Sequence, residues 1–427
     1  MSRRKYLATT GAGVAGLVGL AGCSSSKPGS GDSGSGGSGS GTTTGTASGA
    51  DAVYEAGVIT AQSGSYSFLG QAGIQGSKIA AQNLEKELGV KINVTTADTE
   101  TDPSTGLDRM KRLVNRDGID FAMGGVSSSV AIKMGNWASD NGISYMATGS
   151  HSDATTGDKC AKYMYRPTTS NSMLANTLGG GMADFADSWF LMYADYTWGH
   201  TGRDAIKKAL KENGGTVAGE VATPFPSSDY NQYLNQAKSS GADGLAVIIA
   251  GTDQRTVTKQ FVNKGMHEEM KMSGPLFEEA VFWGLGKHAA SVTGLWATPW
   301  SNEVPKTDLA KKVIDQITSQ YDTSPFSRHY MGYMAMDQLV RAAHRAGSTD
   351  AADIQDELKG HTVEQSFKPG KSYWRKEDHQ LVQPVSTVKP LAESKMQDDP
   401  YKSWYQHVGT KEGDKVVRPV TETGCKL

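Results

Sequence analysis

The chain of 427 residues is long enough to bury the cores of two domains. Its formal charge of −2 becomes more negative once Arg3, Arg4 and Lys5 are set aside, and this excludes nucleic acid, which demands a basic face, as a partner. No segment after the N-terminal stretch is apolar and long enough to cross a bilayer.

The N-terminal GAGVAG (Gly11 to Gly16) has the spacing of a dinucleotide-binding loop, but no strand precedes it and a Ser/Gly tract follows almost at once, so it lacks the context that cradles a pyrophosphate. A basic start, a weakly apolar middle and small residues near position 22 instead predict an export signal over 1–22. Ser2-Arg3-Arg4-Lys5-Tyr6-Leu7 resembles a twin-arginine signal, and Leu20-Ala21-Gly22-Cys23 resembles a lipobox in which Cys23 takes a lipid and becomes the new N-terminus. The alternative is an ordinary signal with a chance cysteine. Residues 23–51 are dominated by Ser, Gly and Thr and predict a disordered linker with a typical reach of about 30 Å.

After Ala50 one unit recurs: an amphipathic helix, a glycine, then a short apolar run. In the first copy Ala80, Leu84 and Leu88 share a helical face, Gly89 suits a left-handed C′ position, and Val90 to Val94 reads as a strand. The same stop stands at Gly118, Gly142, Gly214, Gly241 and Gly265. Alternating helices and strands predict an α/β fold of mainly parallel sheets with helices on both faces. Two series, opening at Val53 to Ile59 and at Trp189 to Tyr193, predict two similar doubly wound lobes with a hinge and a ligand cleft between them.

The stretches SGSYSFLGQAGIQGSKIAAQNL, GGVSSSVAIKM, ATGSHSDATTGDKC, YADYTWGHTG, WRKEDHQLVQPV and TETGCKL, in this order, resemble the extracellular solute-binding proteins of ABC transporters, in the branched-chain amino acid and amide group with the type I periplasmic-binding fold. The resemblance runs from Val53 to Leu427. It implies three crossings between lobes, with a first lobe over 52–170 plus 302–372 and a second over 171–301 plus 373–427. It also implies capture of a small polar solute for a membrane permease and its ATPase, no cofactor, and a monomer tethered to the cell membrane only through Cys23. A sensor module of the same fold is the alternative within this reading.

Several residues are expected at the ligand. In FAMGGVSSSVAIKM a helix starts near Ser127, so free N–H groups and the Ser127 or Ser128 hydroxyl could meet a carboxylate or amide oxygen, where the family holds its carboxylate; simple helix capping would also explain Ser127. Thr148 and Ser150 follow the strand Ser144 to Ala147 and line the same edge. Tyr66 and Leu69 lie in the loop that, in the family, reaches over the ligand, and Tyr66 could equally pack that loop down. Trp198 aligns with the family's aromatic wall, while Thr252 and Asp253 follow an apolar strand as candidate partners of a cation or amide or as helix caps.

One departure concerns the ammonium of an amino-acid ligand. Relatives place an acid soon after Gly-Pro, whereas SGPLFEEAVFWG puts Leu276 and Phe277 there and displaces Glu278 and Glu279. An unpaired buried ammonium costs several kcal/mol, so either Glu278 or Asp253 pairs it or the ligand is an amide, a urea-like compound or a carboxylate. The resemblance further implies a disulfide between Cys160 and Cys425, against the alternative of two free thiols. No metal cluster surrounds His379, and GSHSD is no nucleophile elbow, which disfavours a serine hydrolase built on Ser128 or Ser150 with His151.

Overall fold

The computed structural model describes residues 52–397 and 402–427. The expected signal over 1–22, the lipidation site Cys23 and the tract 23–51 lie outside the described residues.

The first series runs β1 (Val53–Thr60), α1 (Ser67–Leu88), β2 (Lys91–Asp98), α2 (Pro103–Asn115), β3 (Phe121–Gly124), α3 (Ser128–Asp140), β4 (Ser144–Ala147) and β5 (Met164–Tyr165). The second runs α4 (Asn171–Phe185), β6 (Ser188–Ala194), α5 (Thr197–Glu212), β7 (Thr216–Thr223), α6 (Asn231–Ser239), β8 (Gly244–Ile248), α7 (Gly251–Asn263), β9 (Lys271–Ser273) and α8 (Glu279–Trp283). There follow β10 (Trp296–Thr298), α9 (Asp308–Tyr321), α10 (Ser327–Ala346), α11 (Ala351–Leu358), β11 (Tyr373–Trp374), β12 (Leu381–Val382), β13 (Val385–Pro390), β14 (Tyr405–Lys411) and α12 (Gly413–Val416).

Two parallel sheets result, ordered β2-β1-β3-β4-β5 and β7-β6-β8-β9. The runs FAMG, SYMA and GLAVI are buried at every position, as strands covered on both faces must be. Helix ends follow the expected rule: Gly89 has φ 70° and returns its N–H to Glu85, and the other five glycines of the recurring unit also have positive φ. In both sheets the first strand of the series is second from the edge, so the chain reverses direction between β1 and β3 and again between β6 and β8. Those reversals are where open α/β sheets leave a crevice at their carboxyl ends.

Helix α10 packs on α1 at small residues. A Cβ on Gly76 would stand 2.1 Å from the His329 carbonyl oxygen, and one on Gly332 would stand 2.1 Å from that of Gly73. Only glycine allows that approach, and it brings the start of α10 toward the end of β1.

Three passages between the sheets are tied together. The Lys368 ammonium, buried, donates to the Pro299 carbonyl (2.6 Å), Gln383 Oε1 (2.8 Å) and the Pro384 carbonyl (2.5 Å), while Gln383 Nε2 donates to the Pro167 carbonyl at 2.9 Å. Three acceptors match the three ammonium hydrogens, which satisfies the buried cation. Nearby, Gln380 bridges to Arg166 in parallel beside β5, and β11 and β12 pair antiparallel as a two-stranded sheet of their own.

The C-terminal tail stitches two regions. Cys425 and Cys160 form a disulfide with Cα atoms 5.6 Å apart, Arg418 Nη2 donates to the Asp153 carbonyl at 2.5 Å, and Glu422 pairs with Lys208 of α5 at 2.7 Å. With the cysteines 265 positions apart, the chain-entropy model puts the stabilisation at about 5.6 kcal/mol. Urea unfolding of Cys160→Ser/Cys425→Ser is therefore expected to show a loss of about 2–5 kcal/mol, and a midpoint equal to that of the oxidised parent would refute the contribution.

Candidate functional site

The carboxyl ends of β1, β3, β6 and β8 face a common cavity, drawn in to about 10 Å³ of space, room for about one water molecule. Tyr66 and Val126 close it from the first sheet, and Tyr196, Trp198, Ala250 and Leu276 from the second. Three of the following helices start at its rim: α3 after Ser127, α5 after Tyr196 and α7 after Ala250, none with a side-chain cap on its orphaned N–H groups. Each such terminus presents about half a positive charge.

Gly149, His151 and Arg328 complete the wall. Arg328 stands in the first turn of α10 and is 4% exposed; Glu278, in the loop after β9, is 0% exposed. Arg328 Nε donates to Glu278 Oε1 at 2.5 Å, Nη2 pairs with the same oxygen, and Nη1 donates to the Gly149 carbonyl at 3.2 Å. The pair joins a helix packed on α1 to a loop of the second sheet. Desolvating both ions is costly, and only close, multiply bonded geometry of this kind offsets it.

The neutral walls also carry polar atoms. The Tyr66 and Tyr196 hydroxyls share a hydrogen bond of 2.7 Å, and Tyr66 stacks on Phe225 with centroids 4.8 Å apart. Burial first, then the neighbouring phenol, pushes the Tyr66 ionisation well above its ordinary value. His151 Nδ1 donates to the Thr169 carbonyl at 2.8 Å; burial, then the Arg328 charge, holds the ring neutral and leaves Nε2 as a bare acceptor. Trp198 Nε1 and His151 Nε2 have no hydrogen-bond partner among the described residues.

Of the residues expected from sequence, Tyr66 and Trp198 form the wall and Glu278 meets it through Arg328. Ser127 is the N-cap of α3, beside the wall residue Val126, and Ser128 Oγ accepts from the Ser152 N–H at 3.4 Å. The others turn elsewhere. Ser150 Oγ bonds Thr155 Oγ1 at 2.5 Å, Thr148 donates its N–H to Gly124, and Leu69 is buried in an apolar cluster. Asp253 Oδ2 accepts from the Ser227 N–H (2.6 Å) and the Tyr230 hydroxyl (2.8 Å), and Thr252 Oγ1 reaches only Asp253, at 3.5 Å. Local packing of α7 accounts for both.

Arg328 and His151 escaped as ligand candidates. A cation in the first turn of a helix opposes the helix dipole, and that misfit in FSRHYM was the available signal for Arg328. Neither serine of the disfavoured hydrolase reading bonds His151, whose Nδ1 faces the Thr169 backbone and side chain.

The periplasmic binding protein family matches residues 54–394. A curated relative, the Leu/Ile/Val-binding protein homolog 3 of Brucella melitensis, is 25% identical over 317 residues, covering 72% of this chain and 83% of its own length. Among solved structures, a periplasmic binding protein from Burkholderia mallei superposes with a TM-score of 0.81 at 25% identity, covering 88% of this chain and 99% of that one. An ABC-transporter solute-binding protein from R. palustris, solved with benzoate, superposes at 0.76 with 18% identity, covering 88% of this chain and 100% of its own. With paired parallel sheets, a cavity at their facing carboxyl ends and a family match over most of its length, the chain belongs to the periplasmic binding protein family, with the type I fold, and is an extracytoplasmic solute-binding protein, not an enzyme.

Proposed function

We propose that this chain is the solute receptor of an ABC importer, held to the outer face of the cell membrane by a lipid on Cys23 after a twin-arginine-type signal is removed, and that it hands a small polar solute to a permease driven by an ATPase. The lobes are 52–170 with 302–382, and 171–301 with 383–427, a last crossing later than the expected 372 that the isolated bridge between Arg166 and Gln380 supports. They hinge about the passages that Lys368 and Gln383 tie together. Tyr66, Ser127, Trp198 and Glu278, joined by His151 and Arg328, form the ligand site, with Ser128 behind them.

The observation carrying this reading is the convergence of two sheet reversals and three uncapped helix starts on one cavity. A ligand touching both walls binds the shut form better than the open one, and that difference drives closure. Relatives named for leucine, isoleucine and valine, and one solved with benzoate, bracket the candidates.

Thermal unfolding of the purified chain with amino acids, short amides, urea and small carboxylates tests it. A true ligand at a hundred times its Kd stabilises by about 2.7 kcal/mol. Trp198→Phe keeps the ring but removes the indole N–H, and is expected to weaken that ligand about fivefold to tenfold, one hydrogen bond's worth. No stabilisation by any compound would sink the receptor reading; an unchanged Kd in Trp198→Phe would remove that N–H from the site.

A further inference from the structure

We propose that the cavity selects a small carboxylate without an α-ammonium group, and that Arg328 is the residue that selects it. This rests on the cavity being the solute site.

Start with what a ligand cation would need. Glu278 is the acid nearest the wall, but its Oε1 is already shared by Nε and Nη2 of Arg328. An ammonium brought to Glu278 would have to settle beside a buried guanidinium, and like charges in a dry site repel strongly. Asp253 Oδ2 is spent on Ser227 and Tyr230. The relatives' way of pairing an ammonium is therefore narrowed by an ion pair of this chain's own, to the second oxygens of Glu278 and Asp253.

The donor side is open. A guanidinium carries five N–H groups, and three are directed at Glu278 and Gly149, which leaves two. Trp198, 3% exposed and on the cavity wall, adds an indole N–H with no partner among the described residues. The starts of α3, α5 and α7 add positive potential at the same rim. Because Glu278 balances Arg328, these termini decide the sign of the field, and it favours an anion whose two oxygens accept. The rings of Tyr66, Tyr196 and Trp198 and the side chain of Leu276 leave the rest of the ligand an apolar berth. His151 Nε2 is a lone acceptor on that wall, so a hydroxyl on the ligand's body gains a partner. Glu278 Oε2, also without a partner among the described residues, is the acceptor an ammonium could claim beside Arg328, which makes Glu278 the discriminating position.

The test is calorimetry on the purified full chain with matched sets: 4-methylpentanoate, leucine and 4-methylpentanamide; 3-phenylpropanoate, phenylalanine and 3-phenylpropanamide; benzoate, 4-hydroxybenzoate and benzamide. In at least one set an acid is expected to bind tenfold or more tightly than its amide and, where present, its amino acid. Arg328→Gln should weaken that acid at least a hundredfold, and Glu278→Gln, which removes a negative charge beside the bound carboxylate, should tighten it. An amino acid or amide that matches or exceeds the acid in the tightest-binding set overturns the inference while sparing the receptor reading, as does an amino acid whose binding Glu278→Gln abolishes. If no compound in any set binds, the cavity is not the solute site and both fall. Should either variant fail to fold, the wild-type ranking alone decides.

Discussion

Arg328→Met is expected to release the contact that Arg328 makes with Glu278 across the cavity, so that the protein spends more of its time open. The substitution leaves the Glu278 carboxylate, 0% exposed, without its cation, and stranding one member of a buried pair costs about 3–5 kcal/mol. The chain has a cheaper escape than unfolding, because Glu278 and Arg328 sit on elements of different sheets and the carboxylate regains water when those part. Small-angle scattering should therefore show a larger radius of gyration for Arg328→Met and Glu278→Leu singly. Replacing both at once removes both charges and should restore the compact form, since an apolar pair of similar volume is often no worse than the ion pair. Identical scattering and identical urea midpoints for wild type and both single variants would show that the bridge holds nothing together.

The second large effect is acid destabilisation. Three buried imidazoles are held neutral in the folded chain. Burial pushes His329 down to about 3 and His379 down to about 4, and takes His151 well below its ordinary value, helped by Arg328. His329 shows the cause: Nδ1 accepts the Phe326 N–H at 3.2 Å while Nε2 faces Gln75 Oε1 at 2.9 Å, so a second proton would break the first bond. Unfolded imidazoles titrate near 6.5, so as the pH falls below that value the unfolded chain takes up protons that the folded one refuses, and stability is lost down toward the folded pKa values. For His329 the loss between pH 7 and pH 5 is about 2 kcal/mol. Glu279, 0% exposed and raised well above its ordinary value by burial and then by Glu303, works in the opposite direction above pH 4.5, so the total slope is a balance. The clean measurement is urea unfolding of wild type and His329→Gln at pH 7, 6 and 5: the variant's stability should fall less steeply by about 2 kcal/mol. Parallel lines would mean that His329 already ionises in the folded chain.

β4 was placed residue for residue as Ser144 to Ala147, since a short run buried on both faces announces itself by its apolar content. Val90 to Val94 was only half right: β2 runs from Lys91 to Asp98, because its half-buried second part, VTTAD, lacks a continuous apolar signal. Within the site, the family resemblance of the segments after β1 and β6 points to Tyr66 and Trp198, and both line the cavity. Thr252 and Asp253 stand at such an end too, yet they turn into their own helix and its neighbours, and nothing in their local sequence distinguishes the two outcomes.

The order of residues alone determined the repeating helix, glycine and strand unit, the two series and a helix start near Ser127, because each is a matter of backbone conformation and side-chain period over a few neighbours. The cavity's chemistry was decided only by tertiary structure. Arg328 lies 50 positions from Glu278 and 179 from Gly149, and it reaches both only because glycines let α10 settle against α1 and the two sheets face each other. Burial then makes that long-range ion pair, rather than any local motif, the group that sets which charges the site can accept.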